Sequence, residues 1–296
     1  MTSSILPLLL EPEQLAGFLE ERNALLQQEP ETTSETPALA DASDRIPIRI
    51  IDLCAEQSYQ TGHIPGAIHL PVQALFSGQG IAPGKLPEFS QLQRLFGHLG
   101  LTPDTHFIVY DDEGGGWAGR FIWTLDVIGH KHYSYINGGM LAWRGAGLEL
   151  EQNENHVPPT YPALKINHQP VAEIPDILNN LGRPNFTVWD ARSPEEYRGD
   201  KVFAKKGGHI PGAINCEWTN LMDPNHHYRI REDAEERLGM LGIRKGQEIV
   251  THCQSHHRSG FTYLVGRILN FDIKAYHGSW AEWGNHPDTP VEQSRL

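Results

Sequence analysis

Gly62-His63-Ile64-Pro65-Gly66-Ala67-Ile68 recurs, residue for residue, as Gly208-His209-Ile210-Pro211-Gly212-Ala213-Ile214. Seven matched positions in a 296-residue chain mark an internal duplication. Upstream, Ile51-Asp52-Leu53 with Tyr59 matches Trp189-Asp190-Ala191 with Tyr197. Downstream, Val109-Tyr110-Asp111-Asp112 aligns with Val250-Thr251-His252-Cys253. The pairs Asp112/Cys253 and Gly119/Gly260 share an offset of 141 residues (253 − 112 and 260 − 119). On that alignment Trp117 matches Arg258, and Gly138 and Trp143 then match Gly278 and Trp283. A repeat this long is a domain, far above the period of a solenoid.

The offset shifts from 138 at Asp52/Asp190 to 146 at His63/His209, so the second copy carries eight extra residues within Arg198–Gly207. Insertions of this kind sit in surface loops. The polar stretch Glu149–Pro162, with Pro158, Pro159 and Pro162, reads as an interdomain linker. The expected division is 1–150, a linker over 151–165, and 166–296. Glu29–Asp44 is rich in Glu, Thr, Ser and Ala and reads as a mobile loop inside the first copy.

Each copy alternates short apolar runs with helical periodicity. In the second, Phe186–Asp190, Glu248–His252 and Ile273–Tyr276 read as strands, and Glu232–Leu241 as a helix. Ser259–Leu269 places Phe261, Leu264, Val265 and Ile268 on one helical face. The alternation predicts an α/β fold: two tandem domains, each a mainly parallel sheet flanked by helices.

Composition bounds the function. Lys plus Arg number 24 and Asp plus Glu 37, a formal charge of −13. Such a chain has no basic footprint for nucleic acid and no polybasic segment for a membrane surface. The early apolar run Ile5–Leu10 is too short to span a bilayer and lacks the flanks of a secretory signal. Three widely spaced cysteines, Cys54, Cys216 and Cys253, argue against a disulfide framework and for a reduced, cytoplasmic setting.

Cys253 stands where a strand hands over to a helix, in His252-Cys253-Gln254-Ser255-His256-His257-Arg258-Ser259-Gly260. Sites in open α/β sheets form at the carboxyl ends of strands. The loop's backbone N–H groups and the dipole of the following helix make an anion cradle around the sulfur, which lowers a thiol's pKa. The competing reading is a buried structural cysteine, but apolar filler rarely comes with two histidines and an arginine in one loop. A Cys-x5-Arg loop wraps a phosphate; this Cys-x4-Arg loop is one residue shorter, which suits a single sulfur atom on the cysteine.

The chain resembles a tandem-domain rhodanese, a thiosulfate sulfurtransferase. The likeness spans nearly the whole chain: the paired Gly-His-Ile-Pro-Gly-Ala motifs, the Cys253–Arg258 loop, and Gly278-Ser279-Trp280-Ala281-Glu282-Trp283. The loop is similar to that of a bacterial subgroup with Cys-Gln-Ser/Thr-His-His-Arg. The resemblance implies a catalytically inactive first domain and a catalytic second one. It implies a ping-pong cycle in which Cys253 takes a sulfane sulfur from thiosulfate as a persulfide and passes it to cyanide or a thiol. Gln254, Ser255, His256, His257 and Arg258 would then line the substrate. Neither a metal nor an organic cofactor is implied, and a monomer is expected. Asp112 at the position of Cys253 would explain the silent first domain.

The loop departs from two relatives. Mammalian thiosulfate enzymes carry basic residues within the loop and Gly-Val-Thr at its end, and mercaptopyruvate enzymes have Gly-Ser-Gly-Val-Thr after the cysteine. Glu196 also stands where eukaryotic-type relatives have an arginine. Mercaptopyruvate therefore stays open as donor. So do a cysteine phosphatase or arsenate reductase, disfavoured by the spacing, and a persulfide carrier feeding a protein partner. Other residues read as structural. His63 and His209 recur in both copies, with or without a nucleophile, and suit hydrogen bonding better than metal. Asp52 and Asp190 suit turn capping, and Trp280 and Trp283 core packing. Gly114-Gly115-Gly116 lacks the Gly-Lys-Ser/Thr of a phosphate loop. His256 and His257 read as neutral pocket walls in preference to general bases, and Arg258 as either an anion ligand or a loop brace.

Overall fold

The computed structural model describes residues 6–27 and 46–293. The stretch Glu29–Asp44 lies outside the described residues up to its last position. The first sheet contains β1 (Leu9–Leu10), β2 (Ile48–Asp52), β3 (Ala67–His69), β4 (His106–Tyr110) and β5 (Tyr133–Ile136), in the order β1-β5-β4-β2-β3. Every pairing in it is parallel. The second contains β6 (Val171–Ala172), β7 (Phe186–Asp190), β8 (Ile214–Asn215), β11 (Glu248–His252) and β12 (Asp272–Tyr276), in the equivalent order β6-β12-β11-β7-β8 and again parallel. Between them β9 (Met222–Asp223) and β10 (Arg229–Ile230) form a small antiparallel ribbon. The two sheets with helices on them are the duplicated α/β units expected from the repeat.

The duplicated motif has a physical reason. Each His lies 2.8 Å through Nδ1 from the carbonyl of its tyrosine, His63 from Tyr59 and His209 from Tyr197. The rings stack, with centroids 3.8 and 3.7 Å apart. Each tyrosine hydroxyl donates to the motif's alanine carbonyl, Ala67 or Ala213. His63 also bridges Glu151 and His209 bridges Glu292, so the tail of each unit returns to its own motif. Both histidines are buried structural pins. The stretch 199–207, which holds the eight additional residues of the second copy, carries no regular element and is largely exposed.

The helices of the first unit are α1 (Pro12–Gln27), α2 (Glu56–Thr61), α3 (Phe89–His98), α4 (Gly116–Val127) and α5 (Gly139–Gly145). Those of the second are α6 (Ile174–Leu178), α7 (Pro194–Arg198), α8 (Ala234–Leu241), α9 (Arg258–Ile268) and α10 (Ser279–Trp283). Helices α4 and α9 follow the two repeat-related loops and cross at Gly119 and Gly260. A Cβ on Gly119 would lie 2.2 Å from the Gly260 carbonyl oxygen, and one on Gly260 would lie 2.6 Å from the Arg120 nitrogen. Only glycine permits this approach. Through it the cores fuse: Leu264 packs with Phe107, Phe121 and Tyr135, while Trp123 and Val127 pack with Phe261 and Val265.

Two reciprocal straps add to the junction. From the first unit, Lys85 pairs with Glu173 and Glu282, at 3.1 and 2.7 Å, and the Leu86 N–H donates to His277 Nδ1. From the second, Arg229 pairs with Glu11 and Glu13, at 2.9 and 3.2 Å, and the Ile230 N–H donates to Asn137 Oδ1. No described helix is long and apolar enough to cross a membrane.

Candidate active site

Strand β11 is the central strand of the second sheet, and Cys253 is the first residue beyond its carboxyl end. The loop turns sharply enough to force His256 to φ 58°, a left-handed conformation uncommon for any residue but glycine. It then enters α9 at Arg258. The Gln254 carbonyl accepts from Ala281 N–H, and the Cys253 carbonyl from Trp280 N–H, which moors the loop on α10.

Cys253 is 1% exposed. Burial pushes its thiol up. Against that act the Arg258 guanidinium, the Ser259 hydroxyl, and the backbone N–H groups of Ser259 and Ser255, and the net result is a thiol below its ordinary value. The Ser259 hydroxyl donates to Sγ at 3.4 Å. The other two cysteines move the opposite way. Burial and then Asp52 hold the Cys54 thiol far up, and burial lifts Cys216 to about 11. Of three free cysteines, one is built to ionise.

Arg258 spends both ends of its fork on Glu196, Nη1 to Oε2 at 2.6 Å and Nη2 to Oε1 at 2.8 Å. It therefore braces the loop and acts on the sulfur by charge. His256 is fully buried, with Nδ1 2.8 Å from Ser259 Oγ. Because Ser259 gives its proton to sulfur, the ring donates Nδ1–H to the serine oxygen as a neutral imidazole. Burial, then Arg120, His277 and His257, push its pKa well down, which keeps it neutral. His257 lies at the junction with the first unit, tilted on Trp117, edge-on to Trp218, and 2.8 Å from Glu113 Oε2. The Ser255 carbonyl backs onto Gly84, where a Cβ would approach within 2.1 Å. The five loop residues thus divide: Arg258 acts on Cys253 by charge, Ser255 through its backbone N–H and His256 through Ser259, while Gln254 moors the loop by its carbonyl and His257 faces the first unit.

Behind the loop, Asp190 receives Arg192 Nε at 2.9 Å and Nη2 at 2.6 Å, and His252 Nε2 lies 3.5 Å away. Asp52 accepts from Cys54 N–H and the Tyr110 hydroxyl. Both aspartates brace turns, as their recurrence implied. Trp280 and Trp283 are buried in the core.

The first unit's loop corrects one alignment. In the sheets Asp52 pairs with Tyr110, and Asp190 with His252. The residue after β4, equivalent to Cys253, is therefore Asp111, not Asp112. Its carbonyl accepts from Met140 N–H as that of Cys253 does from Trp280 N–H. The first loop holds one more residue than the second, which counting back from Gly119 and Gly260 conceals. The Asp111 carboxylate fills its own cradle: Oδ1 accepts from Glu113 and Gly115 N–H, and Oδ2 from Trp117 and Ala118 N–H. Asp112 turns aside to accept from Ser58.

Sequence reasoning missed three further groups. Ser259 was signalled by its place right after Arg258, and Glu196 by its oddity as a carboxylate in an arginine position. The third, Arg120, comes from the first unit, bears on His256 by its charge, and had no signal.

The rhodanese-like domain family matches residues 35–146 and 173–286, so the chain belongs to the rhodanese family, twice over. It is 50% identical over 267 residues to a thiosulfate sulfurtransferase of Pseudomonas aeruginosa, covering 88% of this chain and 98% of that one. It is 53% identical over 245 residues to the thiosulfate sulfurtransferase of Azotobacter vinelandii, covering 82% and 90%. The crystal structure of YnjE shares the fold, with TM-score 0.78 at 21% identity over 98% of this chain and 69% of that one.

Proposed function

We propose that the chain is a thiosulfate sulfurtransferase with Cys253 as its nucleophile. The carrying observation is that the one thiol lowered below its ordinary value sits at the carboxyl end of the central strand, with the Ser255 and Ser259 N–H groups and the Ser259 hydroxyl on its sulfur. Two relatives of at least 50% identity bear that name over most of their length. The Cys253 thiolate attacks the outer sulfur of thiosulfate. The sulfur–sulfur bond breaks, sulfite leaves with the electron pair, and a persulfide forms. The loop N–H groups and the Ser259 hydroxyl stabilise the charged sulfur, as an oxyanion hole does. An acceptor such as cyanide or a thiol then attacks the outer sulfur and returns the thiolate.

The catalytic division follows domain lines, 1–150 inactive and 166–296 catalytic, because Asp111 occupies the first cradle with a group that cannot carry sulfur. The Cys253–Arg258 loop supports membership of a bacterial subgroup of the family with Cys-Gln-Ser/Thr-His-His-Arg. Among the loop residues, Ser255 supplies a backbone donor, Arg258 charge, His256 a neutral wall, and His257 a wall held by Glu113 of the first unit. The protein works as a monomer in a reducing cytoplasm, since one chain already contains both halves of the junction.

The test is intact-protein mass after thiosulfate and again after cyanide. A gain of one sulfur on Cys253, removed by cyanide, is expected. A gain with mercaptopyruvate but not thiosulfate would move the donor assignment. No gain with either would overturn the reading.

A further inference from the structure

Among the described residues two arginines are fully buried, each about 1% exposed. Arg192 is paired with Asp190. Arg120 has no carboxylate partner among the described residues. Its Nη2 donates to the Leu75 carbonyl at 2.7 Å, and its Nε and Nη1 are buried with no hydrogen-bond partner. A guanidinium keeps its charge in proteins, and a buried, uncompensated charge is strongly unfavourable. Something nearby must offset it.

The fold directs Arg120 at the catalytic loop. Its backbone nitrogen lies 2.6 Å from where a Gly260 Cβ would stand. Gly260 follows Ser259, whose hydroxyl touches Cys253 Sγ. The guanidinium lies 4.7 Å from the centre of the Trp123 ring, and that ring meets His256 edge-on at 4.4 Å. Around Cys253 the carboxylates are already engaged, although Gln254 Oε1, His252 Nε2 and His256 Nε2 are buried without a hydrogen-bond partner. Arg258 is held by Glu196, His252 faces Asp190, His256 bonds Ser259, and the Ser279 hydroxyl accepts from Cys253 N–H. The anion left to answer Arg120 is the thiolate.

We propose that Arg120 is a positioning residue for sulfur transfer: the first domain supplies, through α4, a second cation that holds Cys253 anionic and ready to attack. The proposal rests on Cys253 as nucleophile. Electrostatics agree with the geometry, because burial presses the Arg120 guanidinium down to about 9 and the Cys253 charge pushes it back up. The silent domain is thereby part of the active site, which gives a chemical reason for the tight α4–α9 crossing.

The test is alkylation of Cys253 by iodoacetamide across pH, with the modified residue mapped by mass, in wild type, Arg120→Gln, Arg120→Met and Arg120→Lys. Gln retains a donor for the Leu75 carbonyl. Met fills the space without polar atoms, so a loss of fold in one neutral variant leaves the other to decide. Expected is a rise in the alkylation midpoint for the neutral variants, with the rate below that midpoint falling about tenfold, and a return toward wild type with Lys. A neutral variant that unfolds cooperatively yet alkylates on the wild-type pH profile would overturn the proposal. Failure of wild-type Cys253 to take sulfur from any donor is a separate result and would sink the sulfurtransferase reading instead.

Discussion

Asp126 and Arg267 occupy equivalent positions in the two copies and are bound to each other across the junction, with Arg267 Nη1 2.5 Å from Asp126 Oδ2. The fully buried Asp126 carboxylate also accepts from Lys131, Tyr133 and Tyr263. Duplication thus produced a heterologous pair: one copy kept the acid and the other the base. Removing one partner of a buried pair leaves an uncompensated charge, at a cost of about 3–5 kcal/mol. Because Arg267 keeps one-third of its side chain in water, Asp126→Ala is expected to cost less than that, about 1–3 kcal/mol from the buried tyrosine donors it leaves unpaired, in urea unfolding. An effect within noise would show that the pair adds nothing to docking.

The Gly119–Gly260 crossing predicts a second, purely steric result. Gly260→Ala would drive a methyl group to 2.6 Å from the Arg120 nitrogen and from the Gly116 carbonyl. Backbone atoms on both sides leave no room to yield. Overpacking of this kind costs about 1–3 kcal/mol. Because the crossing also seats the catalytic loop, turnover is expected to fall with stability. Circular dichroism melts and a sulfurtransferase assay on one preparation test both.

Much of this was legible in the sequence, and the rest was hidden for definable reasons. Phe186–Asp190 and Glu248–His252 are short apolar runs, and they fold as the strands expected. Ser259–Leu269 folds as α9 with a shift of one residue. Cys253 declared itself by its place between strand and helix. The Asp111 equivalence was not legible, because a one-residue difference in loop length shows only in strand register. Glu196 and Arg258 lie 62 residues apart, and no local pattern joins them. Arg120 falls in a helix that is buried on all sides, where an arginine has no periodic signature.

The corrected register distinguishes two neighbouring aspartates. Asp111 accepts four backbone N–H groups. Asp111→Ala leaves those donors buried, at about 1–3 kcal/mol for each one that finds no water. Asp112 accepts from Ser58 and sits outside the cradle. Asp112→Ala is expected to retain stability and turnover, and Asp111→Ala to destabilise sharply. The reverse order, measured by chemical denaturation, would restore the alignment that places Asp112 opposite Cys253.

Glu196 orients Arg258, so its removal should reach the sulfur indirectly. In Glu196→Gln the amide cannot match both ends of the guanidinium fork. Arg258 is released from its position, and its hold on the Cys253 thiolate weakens. The expected result is a several-fold drop in the sulfur-loading rate near neutrality that recovers as pH rises. A drop of the same size at every pH would mean Glu196 acts only on loop structure.

The pH dependence follows from opposite shifts within one loop. Burial raises the Cys253 thiol, but Arg258, Ser259 and the loop N–H groups overcome it, so the folded value lies below the unfolded one. His256 is held neutral by burial to well below its ordinary range; against burial, His252 and Arg192 hold Asp190 below its ordinary value, and Arg258 does the same for Glu196. Neither His256 nor those two carboxylates therefore takes up a proton in the neutral range where the thiolate is used. Sulfur loading should persist below the ordinary thiol pKa of about 8.5 and fall with a single ionisation as Cys253 protonates. The same shift is a stability term. It is fully present above the unfolded thiol value and lost as pH falls through the lower folded value. The stability advantage of wild type over Cys253→Ala should thus be greatest in alkali and shrink toward acid. Urea unfolding at a series of pH values measures it, and a pH-independent difference would mean that the folded site does not favour the thiolate.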